Sequence, residues 1–195
     1  MNKLHLGCGT IYLKGWINID LNLPHHHLTI DRPDLVEING TTLDNYYKED
    51  VGKKDFLKGT FHKKEVVCDM VANVKNLPFE NESVDEMLAV QLFEHFGRIE
   101  AEELLDYWWG LLKFGGSLRL HVPDILGIYK QFQKDNDEDW MIRQIFGSQK
   151  NEFGFHKFGY TEETLSQLLL KHHFKNVEFV ENINNYPSIA IKAYK

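Results

Sequence analysis

The sequence predicts an α/β fold, a mostly parallel sheet with helices on its faces that is closed by an antiparallel C-terminal strand. Three observations predict it. The apolar segment 3–6 breaks at Gly7-Cys8-Gly9, as a buried strand does where it enters a loop. From residue 65 onward, strand-like and helix-like apolar spacings alternate, which is how parallel strands joined by crossover helices read. The last two strand-like runs flank a short Asn184-Asn185-Tyr186-Pro187 connection, which suits a hairpin at a sheet edge.

The elements follow in order. Gly15-Trp16-Ile17-Asn18-Ile19-Asp20 reads as a second strand with an acid at its C-terminal tip. Too few residues separate Gly9 from Asp20 for a crossover helix plus a strand, which usually take a dozen or more, so the first helix is shortened to a turn or so. Residues 21–64 are too long for a bare connection and read as a partly ordered insertion near a ligand site. It has turn signals at Asp31-Arg32-Pro33-Asp34, Asn39-Gly40 and Val51-Gly52 and a short helix around 43–48. Strands are expected at 66–72, 87–91 and 117–122, the last ended by Pro123-Asp124. A helix over 99–113 carries Leu104, Leu105, Trp108, Leu111 and Leu112 at helical spacing, and Phe114-Gly115-Gly116 stops it in the manner of a glycine C-cap. Helices are expected at 125–132 and 138–146. Another is opened by Thr161 as N-cap, with Leu165, Leu168 and Leu169 as its buried stripe, and strands at 176–181 and 188–193 complete the chain.

At 195 residues the chain is expected to form one domain, 1–195, with the insertion at about 21–64. Its net charge of -7, from 22 Lys+Arg against 29 Asp+Glu, opposes polyanions, and Lys53-Lys54 and Lys63-Lys64 are isolated pairs, so no nucleic-acid partner is expected. The two cysteines, Cys8 and Cys68, are too few for a secreted disulfide framework. With a first strand already starting at Lys3 and no long apolar run, the expectation is a cytoplasmic protein with no membrane span. Trp108-Trp109 leaves one ring turned from the core toward a partner surface, and a homodimer stays open.

Closely spaced glycines at a strand end let the backbone approach a ligand and present N–H groups to its anionic parts. A dinucleotide fingerprint would have a third glycine where Tyr12 stands and an acid roughly 20 residues on, so NAD is disfavoured; no Gly-Lys-Ser/Thr sequence marks an ATPase loop. Asp20 suits a ribose, because a carboxylate accepts from both hydroxyls. His25-His26-His27 does not converge on one ion, and no metal is expected.

Leu4-His5-Leu6-Gly7-Cys8-Gly9-Thr10, Gly15-Trp16-Ile17-Asn18-Ile19-Asp20, Asn73-Val74-Lys75-Asn76-Leu77-Pro78-Phe79, Ser83-Val84-Asp85-Glu86, Phe93-Glu94-His95-Phe96 and Leu112-Lys113-Phe114-Gly115-Gly116-Ser117-Leu118 stand in the order of the motifs of class I S-adenosylmethionine-dependent methyltransferases. The chain resembles that family over about two-thirds of its length. It is particularly similar to a small bacterial and phage-type branch, type 11-like, and His156-Lys157 with Tyr160-Thr161 resembles the branch's C-terminal segment. The resemblance implies a Rossmann-like, mostly parallel seven-stranded sheet and S-adenosyl-L-methionine as cofactor. It places Gly7, Cys8 and Gly9 against the methionine part, Asp20 on the ribose, Asn73 and Val74 at the adenine, and Gln91 beside the sulfonium or the acceptor. Three positions depart from the family pattern: His5 and Asn73 stand where it has acids, and Ile11 where a looser form has a third glycine. His5 is expected to be a satisfied interior imidazole.

Methyl transfer is in-line, so alignment and water exclusion do much of the work, and a hydroxyl acceptor also needs a general base. His156 in the Phe153-Gly154-Phe155-His156 loop, His95 and Asp124 are the candidates; His121 is expected to be structural. The expected activity is methylation of a small-molecule or saccharide-type acceptor. A non-catalytic S-adenosylmethionine- or nucleotide-binding subunit and an NAD-dependent oxidoreductase are the alternatives.

Overall fold

The computed structural model describes residues 1–46, 65–184 and 186–195. The Val51-Gly52 turn, the two lysine pairs, residue 185 of the hairpin connection and the later part of the insertion lie outside them. Lys3–Leu6 forms β1, with Leu4, His5 and Leu6 all buried; a strand covered on both faces reads as a continuous apolar run rather than an alternation. It lies between Ile17–Asp20 (β3) and Val84–Val90 (β8), both parallel to it, with Leu4 opposite Ile17 on one side and Met87 on the other. Leu112–Pro123 (β9) runs parallel to β8, and Ser188–Tyr194 (β11) pairs antiparallel with it from Ser188↔Pro123 to Tyr194↔Ser117. Lys175–Phe179 (β10) pairs antiparallel with β11 at one edge, and Met70–Val71 (β7) pairs with β3 at the other. The seven-stranded order is β10-β11-β9-β8-β1-β3-β7, with β11 alone running against the rest, as expected.

Arg98–Leu111 (α2) follows β8 and places Ala101, Leu104, Leu105, Trp108 and Leu111 on the sheet, a spacing that puts them on one helical face. Each large apolar side chain so buried contributes about 1.5–3 kcal/mol. Trp108 is fully buried, and its indole N–H donates to the Val74 carbonyl at 2.9 Å, which removes the cost of burying that donor. Trp109 is half-buried against the core rather than turned from it, with the Lys195 ammonium 4.1 Å from its ring centroid. Ile125–Asp135 (α3), Glu138–Phe146 (α4) and Glu162–Lys171 (α5) complete the helices of this half, each with a side-chain cap. Asp124 accepts from Leu126 N–H, Asp137 from Trp140 N–H, and Thr161 exchanges hydrogen bonds with Thr164.

The structure corrects four expectations. The link from β1 to β3 keeps a turn, Ile11 N–H to Cys8 carbonyl at 3.1 Å, and then a two-residue strand, Tyr12–Leu13 (β2), rather than helix. That strand pairs with Gly40–Thr41 (β5) of the insertion. The strand expected over 66–72 is two, Val66–Cys68 (β6) and β7, with β6 pairing His26–Leu28 (β4) in a separate small sheet. Asp69 causes the break: its carboxylate accepts from Asn18 N–H at 2.8 Å, Asn18 Nδ2 at 3.0 Å and Tyr12 hydroxyl at 2.9 Å, a bonding pattern that competes with continued ladder pairing.

Gly115 does not cap α2. Leu112 turns extended at once because it is buried and pairs with Val84, and Gly115, at φ 78°, lies within the register shift near the start of β9. The insertion contains a helix, Pro33–Asn39 (α1), with proline in its first turn, and a 3₁₀ turn, Leu43–Asn45, where a helix around 43–48 was expected. In the histidine run, His26 and His27 lie on β4, with His26 Nδ1 3.9 Å from Asp20 and His27 Nε2 3.6 Å from Glu65. Cys8 and Cys68 are buried free thiols. No helix among the described residues is long and apolar enough to cross a membrane.

Candidate active site

The parallel strands end just before or at Gly7, Asp20, Asn73, Gln91 and Asp124, which puts these residues at the carboxyl end of the sheet, where ligands of open α/β sheets bind. Past β1, Gly7 and Gly9 adopt φ 62° and 53°, conformations that glycine enters without the Cβ clash other residues meet. Cys8 N–H donates to the Ile19 carbonyl at 3.1 Å, and Gly9 N–H to Asp20 Oδ2 at 2.7 Å. Asp20 Oδ1 accepts from Leu21 N–H at 2.7 Å, and Oδ2 takes the weak Cys8 thiol donor at 3.8 Å as well as Gly9 N–H, which leaves a further lone pair on Oδ1. A Cβ on Gly9 would meet nothing within 4 Å, whereas one on Gly7 would lie 2.9 Å from Leu92 Cδ1. The Cys8 thiol is buried beside Asp20, and burial and that negative charge push its pKa well up; it acts as a small apolar filler.

Asn73, past β7, is exposed, and its side-chain carbonyl accepts from Lys75 N–H at 3.0 Å. Val74 is buried with its carbonyl held by Trp108. Gln91 ends β8 at φ 53°, its N–H donating to the His121 carbonyl at 2.8 Å. His5 lies in the interior: Nδ1 is 2.8 Å from Asn18 Oδ1 and Nε2 2.5 Å from the Tyr46 hydroxyl. Asn18 Oδ1 only accepts, so Nδ1 carries the proton, and burial pushes the imidazole pKa down to about 4. His121 is fully buried and accepts from Arg119 Nε at 2.8 Å; burial, then the guanidinium charge, push it down to about 3.

The structure brings His95 and His156 together, ring centroids 4.9 Å apart at 84°. His95 ends a 3₁₀ turn, Phe93–His95, and its Nδ1 is 2.9 Å from the Phe155 carbonyl; His156 Nδ1 is 3.0 Å from the Gln144 carbonyl. Carbonyls only accept, so both Nδ1 atoms carry protons and both Nε2 atoms keep lone pairs. Burial, then the neighbouring His156, push His95 down to about 4, and burial lowers His156. Beneath them lies Glu94, 1% exposed, with no hydrogen bond to either carboxylate oxygen among the described residues; burial pushes it up to about 8, and its Oε1 is 4.0 Å from His156 Nε2. Asp124 is engaged differently, as the cap of α3 through Leu126 N–H at 3.1 Å.

The sequence alone assigns no role to Glu94 or Leu92. The Glu94-His95 pair is visible there, but the burial that distinguishes Glu94 is not.

A family model described as a methyltransferase domain matches residues 4–120. Among solved structures, a SAM-dependent methyltransferase from Methanosarcina mazei is 20% identical with a TM-score of 0.53, over 100% of this chain and 92% of its own. One from Thermotoga maritima, described as a possible histamine N-methyltransferase, is 18% identical with a TM-score of 0.51, over 99% and 81%. One from Archaeoglobus fulgidus is 14% identical with a TM-score of 0.51, over 100% and 86%. At these identities the likeness to solved structures shows the fold. No curated protein matches the chain.

Proposed function

The chain belongs to the methyltransferase-domain family, with S-adenosylmethionine as its cofactor, and from that premise we propose that it methylates a small-molecule or saccharide-type acceptor at the carboxyl edge of the sheet. The residues fit that cofactor: the space over Gly9 is clear, and Asp20 beside it keeps an acceptor lone pair on Oδ1. Gly7, Cys8 and Gly9 take the methionine part, Asp20 the ribose hydroxyls, and Asn73 with Val74 the adenine. When bound, the cofactor supplies an electrophilic methyl on a cationic sulfur.

The chain's own contribution is alignment, exclusion of water and disposal of the acceptor's proton. Gln91, just past β8, adjoins the sulfonium or the acceptor. The observation that carries a hydroxyl acceptor is the pair of neutral imidazoles, His95 and His156, with both Nε2 lone pairs unused by the protein. Asp124 is the third candidate, already occupied as a cap. The net charge of -7 argues against a polyanionic acceptor.

Thermal-shift titration with S-adenosylmethionine, S-adenosylhomocysteine and NAD tests the donor, since a ligand of the native state raises its stability; stabilisation by NAD alone would sink this reading. A turnover screen for S-adenosylhomocysteine release over sugars, phenols, carboxylates and amines tests the acceptor. Donor binding with turnover only on amines would remove the hydroxyl acceptor, and donor binding with no turnover on any of these compounds would leave a binding subunit.

A further inference from the structure

We propose that Glu94, His95 and His156 form a metal site for a divalent first-row transition ion of the zinc class, one carboxylate and two imidazoles with further coordination positions open. Their ligand atoms all lie within 4.8 Å of one another. Three atoms so spaced always leave a point within about 2.8 Å of all of them, so side-chain movements of several tenths of an ångström reach the 2.0–2.2 Å of zinc–nitrogen and zinc–oxygen bonds.

Three independent features point to an ion. Each imidazole donates Nδ1–H to a main-chain carbonyl, Phe155 for His95 and Gln144 for His156, the arrangement that fixes the tautomer and aims Nε2 of a metal-ligating histidine. The Glu94 carboxyl is 1% exposed and neither oxygen has a hydrogen-bond donor, a costly state for the ionised group that a cation would relieve. The frame is also built in advance: Lys157 N–H at 2.8 Å and Phe158 N–H at 3.3 Å both donate to the Glu94 carbonyl, tying the loop that carries His156 to the turn that carries the other two, and His156 N–H donates to the Phe146 carbonyl at 3.1 Å, holding that loop on the end of α4.

The donor set selects the ion. Two neutral imidazoles with one carboxylate suit zinc and its neighbours, whereas magnesium and calcium prefer oxygen throughout. Three protein ligands leave open positions for water. On the methyltransferase reading an oxygen of the acceptor takes one of them, and the ion, which engages both Nε2 lone pairs and so replaces the imidazoles as the means of removing the proton, would make that hydroxyl more acidic.

Calorimetric titration of chelator-treated protein with Zn²⁺ tests the site, with Mg²⁺ as the hard-cation comparison and Co²⁺ absorption reporting ligand geometry. The result expected is one Zn²⁺ per chain with no matching response to Mg²⁺, and affinity lowered about 100-fold or more in both Glu94→Gln and His156→Ala, since losing a ligand costs at least as much as losing an outer-shell partner. Zn²⁺ binding to wild type no tighter than to Glu94→Gln would overturn the site and leave Glu94 a buried neutral carboxylic acid. Thermal unfolding shows which variants fold, and either variant alone suffices for the comparison. S-adenosylhomocysteine binding to the wild type separates the two readings: its absence counts against the donor site, while the Zn²⁺ result alone decides the metal site.

Discussion

Leu92 fills the space that a side chain on Gly7 would need, its Cδ1 2.9 Å from where a Cβ would stand. The residue that follows Gln91 at the end of β8 is thereby packed on the turn that ends β1.

Gly7→Ala and Gly9→Ala are therefore expected to fail differently. Both put alanine at positive φ, a cost of about 1–2 kcal/mol. Gly7→Ala also displaces Leu92 and should lose about 1 kcal/mol more of ligand-free stability in chemical denaturation. Gly9→Ala projects into clear space over the turn and should instead weaken S-adenosylhomocysteine binding about tenfold or more. Equal stability losses would refute the Leu92 contact.

Asp20→Ala removes the acceptor of Gly9 N–H as well as the group assigned to the ribose. Donor affinity should fall about 100-fold, close to 2.7 kcal/mol, with a smaller loss for Asp20→Asn, which keeps one accepting oxygen. Calorimetry with S-adenosylhomocysteine checks this, and unchanged affinity in Asp20→Ala would reject the role.

His5 makes stability pH-dependent with a definite sign. Its pKa is about 4 folded against 6.5 in the free side chain, so between those values the unfolded chain binds the extra proton. The stability associated with the neutral imidazole is fully present above about pH 6.5 and declines as pH falls toward 4, by up to roughly 3 kcal/mol. Urea denaturation of wild type and His5→Gln across that window should show the difference between them shrinking toward the acid end. A constant difference would mean that His5 does not titrate in this way.

Asp69→Ala removes three hydrogen bonds to a carboxylate, two from Asn18 and one from Tyr12, and should cost about 2–4 kcal/mol. Tyr12→Phe removes only one and should cost about 1 kcal/mol. In the double variant Tyr12→Phe should add almost nothing, because its partner is already gone; full additivity in denaturant melts would show that the pair is not coupled.

The central strands were legible because burial on both faces demands apolar residues, as at Leu4, Leu6, Met87, Leu88 and Ala89. α2 was legible from its stripe, and the C-terminal hairpin from the turn between two strand-like runs. The break at Asp69 was not, because it depends on bonding to Asn18 51 residues away, and nothing local marks that partnership. At Gly115 a sound local signal for a helix end was overridden by the pairing of Leu112 with Val84. The site divides in the same way. Gly7, Asp20 and Gln91 follow from strand ends, whereas the isolation of Glu94 depends on a 3₁₀ turn and on a loop that meets it at Lys157.

The pairing of Lys3 with Glu86 has a kinetic consequence. β1 gains one neighbour nearby in sequence, β3, but its other neighbour, β8, only after a long loop has closed, and such closures slow folding. The Gly7 turn, with Leu92 packed on it, thus belongs to the last part of the sheet to consolidate. In refolding, the capacity to bind S-adenosylhomocysteine should appear with the slow phase and lag the recovery of helical signal from α2, so the ligand serves as a probe of completed topology as well as of the site.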